Sequence, residues 1–464
     1  MTNKKKNSLN GFNINNSNVS ITINSSNNLK KEAKQKSKIS QKESEDLKFL
    51  FKLYSQKEYD LLLNNCKNFV KKYPNNTDGL NALALAYKNK NQFKKAIEVF
   101  EKIISLNPNI DYIYQNIANI LYDQGDAPKA LENYKKSLSL NPNSFNAMNG
   151  IGLVLSNSGD NESAVKYFLD ALKLNPDNKD INYNTASSYR KLEKYNEAIS
   201  HYIKSPTLKS KSFQLECMYL SGNENIEKFY ALLNELGSAE TLYPIAASIS
   251  AHASIEYSNP DPYPFCNEPF SFIYKFNLFD HKDFDENLIN QFLSDVNQSS
   301  LSQRGQPLLK NGYQTSGNLF LLEYASVKKI VKIIEEKIED YRAKFKESDA
   351  GIIKNWPKKY NLFGWLIKIK KGGSLSSHMH NEGWLSSSIY LKRPKKTNSN
   401  DGDIEFSLDG GNFPKIKRLS SEKKIIDIKK GDMVSFPSSL FHSTIPFSSD
   451  DDRITLAFDI IPIN

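Results

Sequence analysis

Four prolines, Pro74, Pro108, Pro142 and Pro176, stand 34 residues apart, and three further positions keep the same phase. Alanine recurs at Ala96, Ala130, Ala164 and Ala198, and four residues after each comes an aromatic: Phe100, Tyr134, Phe168 and Tyr202. Upstream in each period a small residue (Ala84, Ala118, Gly152, Ala186) is followed one turn on by Tyr87, Leu121, Leu155 or Tyr189. Self-similarity of this length is the mark of stacked supersecondary units, and spacings of three and four residues place side chains on one helix face. Each period therefore predicts two helices that cross closely where the small residues sit. The aromatic fills the gap beneath the next unit, and the proline stops the second helix because it lacks a donor and clashes with a continuing turn.

On these anchors the chain resembles the tetratricopeptide repeat family, with repeats at 77–110, 111–144, 145–178 and 179–212. A degenerate copy at 43–76 carries Leu62 and Cys66 where the others carry alanine and an aromatic, as a capping repeat does. The recurring Ala, Phe and Tyr are core and carry no chemistry. The resemblance implies a superhelix whose concave groove holds a protein or peptide. Asn81, Asn116, Asn119, Asn149 and Asn184, in the first helix of each repeat, are candidates to line it.

Beyond the repeats the pattern changes twice. Residues 213–260 read as helical at 227–236 and 239–252, but out of register, and are expected to be capping helices and a linker. Pro260, Pro262 and Pro264 cannot continue a helix and mark a boundary. Helices follow at 285–298 and 325–346, the second amphipathic through Val327, Ile330, Ile333, Ile334 and Ile338. From Tyr360 onward short β-branched and aromatic runs are divided by Gly, Pro and Asn, an all-β signature. The expected organisation is a disordered basic tail at 1–43, a repeat array at 44–212, capping helices and linker at 213–260, and a β-rich domain at 261–464. A chain of 464 residues exceeds what one core supports, which agrees with several domains.

The net charge of +10 raises nucleic acid as a partner. Lysines crowd the Asn- and Ser-rich first 45 residues, and elsewhere the basic residues form no stripe or known module, so no nucleic-acid function is expected. Cys66, Cys217 and Cys266 are far apart and form no CxxC pair, so neither a disulfide framework nor a thiolate zinc site is supported. No run of about 18 apolar residues is present and the N-terminus lacks an apolar leader, so no membrane partner is expected and the location expected is cytoplasmic. Nothing in the pattern specifies an oligomeric state.

Three of the six histidines fall in the β-rich region: His378, His380 and His442. On an extended strand residues i and i+2 share a face about 6.6 Å apart, so His378 and His380 can converge on one ion, with His442 brought opposite by the fold. Glu382 lies about 13 Å along an extended strand from His378 and needs a bend to share the ion. His380 ranks ahead of it as third ligand, with Glu382, Asp403 and Glu405 kept as substitutes.

The segments His378-Met379-His380-Asn381-Glu382-Gly383-Trp384, Gly402-Asp403-Ile404-Glu405-Phe406, Gly431 to His442 and Asp452-Arg453-Ile454-Thr455 resemble the iron- and 2-oxoglutarate-dependent oxygenases, particularly the subgroup fused behind tetratricopeptide repeats. The fold class implied is an all-α tetratricopeptide superhelix followed by an all-β double-stranded β-helix, or jelly roll, with flanking helices. The resemblance implies His378 and His442 as iron ligands, with Arg453 and Thr455 binding the far carboxylate of 2-oxoglutarate and Tyr390 as a further hydroxyl. Fe(II), 2-oxoglutarate and dioxygen are the implied cofactor and cosubstrates. The departure is His380, where the broad family places Asp or Glu. Trp365, Trp384 and Phe436 are candidates to wall a dry site.

The leading expectation is a dioxygenase that hydroxylates a C–H bond, on a protein or peptide presented by the repeats or on a small molecule. The alternatives are an interaction scaffold with an inactive jelly roll and a cupin-type metal enzyme that does not use 2-oxoglutarate.

Overall fold

The computed structural model describes residues 41–222, 226–239, 242–299, 301, 303–415 and 423–463. The tail expected at 1–43 lies outside them except for its last three residues, which open helix Gln41–Ser55. Residues up to Ser188 form one compact unit and those from Tyr189 another.

The 34-residue phase is written into the helix starts. Thr77–Asn89, Asp111–Asp123, Phe145–Asn157 and Lys179–Lys191 begin 34 residues apart. So do Phe93–Leu106, Ala127–Leu140, Asn161–Leu174 and Tyr195–Ile203. The degenerate copy keeps this phase through Tyr59–Lys72, with Leu62 and Cys66 fully buried. Each phased proline falls two residues after the end of the second helix. Asn76, Ser144 and Asn178 accept the free N–H groups of first helices, while Asp126 and Asp160 do so for second helices.

Glycines show how tightly the helices cross. A Cβ on Gly152 would overlap the ring of Phe168 in the same repeat, and one on Gly150 the ring of Tyr134 from the repeat before. Close packing also changes the expectation for the groove asparagines. Asn81, Asn116 and Asn184 are buried. Asn184 donates to Asn149 Oδ1 at 3.0 Å across neighbouring repeats, and Tyr134 donates its hydroxyl to Asn119 Oδ1 at 2.6 Å. Asn149 and Asn184 thus bond between neighbouring first helices, and Asn119 bonds to the second helix of its own repeat.

In the second unit, helices Leu208–Leu220, Ile226–Gly237 and Pro244–Glu256 precede the sheet. The expected division at 212 falls inside the first of them. The helix expected from 239 begins at Pro244, whose fixed φ and missing donor suit the first helical position. The boundary expected at 260 is not a separation of bodies. Leu215, Leu233 and Ile249 share one apolar core with Phe265, Ile334, Ile389 and Phe458. The Pro-rich stretch is packed into that core through Tyr263 and Phe265, and Ile352 donates its backbone N–H to the Phe265 carbonyl.

Ten antiparallel strands are described: β1 (Tyr274–Asn277), β2 (Gln303–Arg304), β3 (Leu309–Thr315), β4 (Tyr360–His378), β5 (Leu385–Lys392), β6 (Ile404–Ser407), β7 (Lys423–Ile426), β8 (Asp432–Pro437), β9 (Phe441–Thr444) and β10 (Arg453–Pro462). They form one curled sheet in the order β1-β8-β5-β10-β4-β9-β6-β7, with β3 also on β4 and β2 on β3. This is the jelly-roll domain with flanking helices, Glu286–Gln298 and Ala325–Lys344 among them. The 19-residue β4 makes the curl. Its first half pairs with β10 and its last residues pair with β9. Between them Gly372 takes φ +67°, and a Cβ on Gly373 would collide with the Lys310 and Lys370 carbonyls, so the bend needs glycine.

Side chains alternate across the curled sheet. Leu456, Phe458 and Ile460 of β10 join the core shared with the helices, while Arg453, Thr455, Ala457 and Asp459 take the opposite, inner face. Trp365 of β4, Tyr390 of β5 and Phe436 of β8 are buried on that inner side.

Candidate metal and cosubstrate site

His378 closes β4 and His442 lies directly across from it on β9, their ring centroids 4.3 Å apart. His380 stands beyond the end of β4, so strand alternation does not aim it. Its backbone N–H donates to the Ser438 carbonyl at 3.2 Å, and its ring lies 5.2 Å from His378 and 4.9 Å from His442. One nitrogen from each of the three rings lies within 4.8 Å of the others, and no carboxylate joins this group among the described residues.

The outer nitrogens are all engaged. Nδ1 of His378 faces the Ser376 carbonyl at 2.9 Å, Nδ1 of His442 faces the Leu440 carbonyl at 3.3 Å, and Nδ1 of His380 faces Asp459 Oδ1 at 2.6 Å. Carbonyl and carboxylate oxygens only accept, so each Nδ1 carries a proton, and in the neutral ring the Nε2 keeps its lone pair. The Nε2 atoms of His378 and His380 are 3.3 Å apart. That is a donor set for a cation, and neutral imidazole suits iron. Burial and the neighbouring His380 push the His378 pKa down to about 4, and burial with both neighbours holds His442 well below its ordinary value. Both are neutral at pH 7.

The carboxylates considered as substitute ligands are occupied elsewhere. Glu382 pairs with Lys209, Asp403 with Arg393 and Lys396, and Glu405 with Lys423. Asp459, which the sequence reading missed, is the carboxylate that reaches the group, and it does so through His380. Its side chain also accepts from Ser386 Oγ at 2.7 Å, and Ser386 Oγ lies 2.7 Å from Ser438 Oγ. A Cβ on Gly383 would press on the Ser438 hydroxyl and the Asp459 carboxylate, so the loop after His380 closes over this network. The one signal in the sequence was position: Asp459 follows Arg453 and Thr455 at even spacing on the same strand face.

Arg453 is 3% exposed and lies inside the sheet. Its Nε donates to the Gly402 carbonyl at 3.0 Å and one terminal nitrogen to Thr455 Oγ1 at 2.9 Å, with its guanidinium carbon 5.0 Å from the Tyr390 ring centroid. Among the described residues it forms no ion pair with a carboxylate. The Tyr390 hydroxyl is buried beside it, and burial raises its pKa to about 12. A buried guanidinium with no ion pair next to a buried hydroxyl fits a carboxylate ligand. Phe436, 4.7 Å from His442, shares an apolar cluster with Tyr390 and Phe406 that joins this pocket to the imidazoles. Trp365 lies tilted against His380 with ring centroids 5.5 Å apart, whereas Trp384 packs on Phe265 and donates to the Ile352 carbonyl, a core role.

Residues 364–459, which contain every one of these groups, match a family described as "Putative 2OG-Fe(II) oxygenase". Tetratricopeptide repeat families match 77–110, 118–159 and 151–206. The chain is a tetratricopeptide repeat array fused to a domain of this oxygenase family. Membership of the oxygenase family implies Fe(II) and 2-oxoglutarate, and the donor set and the Arg453 pocket suit them. No curated protein matches this chain. Similar solved structures include PilF of Pseudomonas aeruginosa (16% identity, 48% of this chain and 94% of that one, TM-score 0.37) and PilW, a type IV pilus biogenesis factor (16%, 43% and 94%, 0.39). YrrB, titled as a repeat protein with an unusual peptide-binding site, aligns at 21% identity over 34% of this chain and 82% of its own (TM-score 0.29). No helix among the described residues is long and apolar enough to cross a membrane.

Proposed function

We propose that this chain is an Fe(II)- and 2-oxoglutarate-dependent dioxygenase that hydroxylates a C–H bond, with the repeat array recognising a protein or peptide substrate. What carries the reading is the set of three imidazoles whose Nδ1 atoms each face an oxygen acceptor and which bring one nitrogen each within 4.8 Å of the others. His378, His380 and His442 would hold the iron. Arg453, Thr455 and Tyr390 would bind the distal carboxylate of 2-oxoglutarate, the Arg fork giving two parallel bonds. When bound, the iron and 2-oxoglutarate supply the oxidising chemistry, in which one oxygen atom of O2 enters the substrate and the other enters succinate as carbon dioxide leaves. Phe436, Phe406 and Trp365 keep bulk water from the pocket. The repeat family generally mediates protein contacts, which supports a peptide substrate over a small molecule.

The test is succinate formation by the purified chain with Fe(II), dioxygen and 2-oxoglutarate, against His378→Ala and Arg453→Ala, with mass spectrometry for a gain of one oxygen on candidate peptides. Metal-dependent succinate formation lost in both variants is the expected result. A protein that binds no Fe(II) and releases no succinate with any peptide overturns the reading in favour of a scaffold. Fe(II) binding with oxidation that ignores both 2-oxoglutarate and Arg453→Ala overturns it in favour of a cupin-type enzyme.

A further inference from the structure

The three imidazoles that face one another bring no negative charge, and the fold has buried Arg453 on the inner side of the same sheet. A divalent cation placed among them would bring two more positive charges into a water-poor interior. Uncompensated charge in such a place is costly. The carboxylates that could have balanced it by direct contact, Glu382, Asp403 and Glu405, are held by lysine and arginine partners.

Asp459 is different. It is 8% exposed, lies on the inner face of β10, and has no lysine or arginine partner among the described ion pairs. Its contacts are His380 Nδ1 at 2.6 Å and the Ser386 hydroxyl at 2.7 Å. Ser386 has one proton, which goes to the carboxylate, so Ser386 must accept from Ser438. The serines thus orient the carboxylate without neutralising it. His380 in turn lies off the end of β4, where nothing in strand geometry would fix its ring.

We infer that Asp459 is the anionic member of the metal site, acting through His380: one hydrogen bond fixes the tautomer and direction of that ring and delivers the negative charge that the ligands themselves lack. The inference rests on the metal reading proposed above. Asp459 is a positioning residue, since it touches a ligand and not the ion. Carboxylates that bind the far nitrogen of a ligating histidine make the ring a better donor, and losing one commonly costs about 10–100-fold in metal affinity. Here an effect in that range is expected, because no other carboxylate joins the group among the described residues.

The test uses the full-length protein and Co(II), a spectroscopic substitute for Fe(II), with affinity from calorimetry and the ligand-field absorption as a second signal. Asp459→Asn keeps the size and an acceptor oxygen but removes the charge. It is expected to lower Co(II) affinity by about 10–100-fold and shift the absorption bands, with the melting temperature of the metal-free protein little changed. Ser386→Ala keeps the charge and is expected to lose far less affinity. Should Asp459→Asn fail to fold, histidine 15N spectra of the Zn(II)-loaded wild type decide the matter. The inference requires a low-field Nδ1 proton on His380 and metal on Nε2, and metal on Nδ1 overturns it. Wild-type affinity and spectrum in a folded Asp459→Asn overturn this inference alone. A wild type that binds no Co(II) overturns the metal reading and this inference with it.

Discussion

His378 and His442 are direct cross-strand partners at the point where β4 has crossed the bend at Gly372 and Gly373 to meet β9. Two residues 64 positions apart thereby place their rings 4.3 Å apart without any loop having to hold them. The pair is as rigid as the ladder beneath it.

Replacing either partner removes a donor while leaving the ladder's backbone bonds in place. His442→Ala and His378→Ala are expected to weaken Co(II) or Fe(II) binding by more than the roughly 100-fold upper range for loss of a ligand's supporting partner. Calorimetric titration measures this, and circular dichroism should report an intact fold.

The metal-free protein should lose stability in mild acid. His378, held neutral by burial, has a folded pKa of about 4 against an ordinary value of 6.5, and His442 moves in the same direction. Between those values the unfolded chain binds more protons than the folded one, so stability rises with pH across the window. It should be complete above pH 6.5 and fall as the pH drops toward 4. Thermal melts from pH 8 to 4 check this, and His378→Gln should flatten the slope.

Arg453→Lys keeps the charge but not the fork that bonds Gly402 and Thr455. Loss of one charge-assisted bond, about 1.5–3 kcal/mol, predicts roughly 10–100-fold weaker 2-oxoglutarate binding in the Co(II)-loaded protein. Metal affinity should be nearly unchanged, which separates the two halves of the site.

In the array, Gly150→Leu would drive a side chain into the Tyr134 ring. Overpacking of this kind costs about 1–3 kcal/mol. Denaturant unfolding followed by circular dichroism should show the loss, while Co(II) affinity at the histidines stays at the wild-type value.

The parts of this protein that its sequence determined are those carried by spacing along the chain. The 34-residue phase set the helix starts within the array, because a helix pair and its turn use a fixed number of residues and each pair must stack on the next. The HxH pair, the later histidine and Arg453-x-Thr455 pointed to the right strands because side-chain alternation is local. What tertiary structure decided are the relations that span long stretches of chain. Strand geometry gave a reason for His378 and His380 to meet, but His380 lies past the strand and is aimed by Asp459, 79 residues away. Glu382, Asp403 and Glu405 stood as substitute ligands until folding gave each a cation. The proline stretch, a boundary by composition, became core because Tyr263 and Phe265 had apolar partners on the sheet and its helices. Charge pairing and burial depend on which surfaces meet, and periodicity carries no record of that.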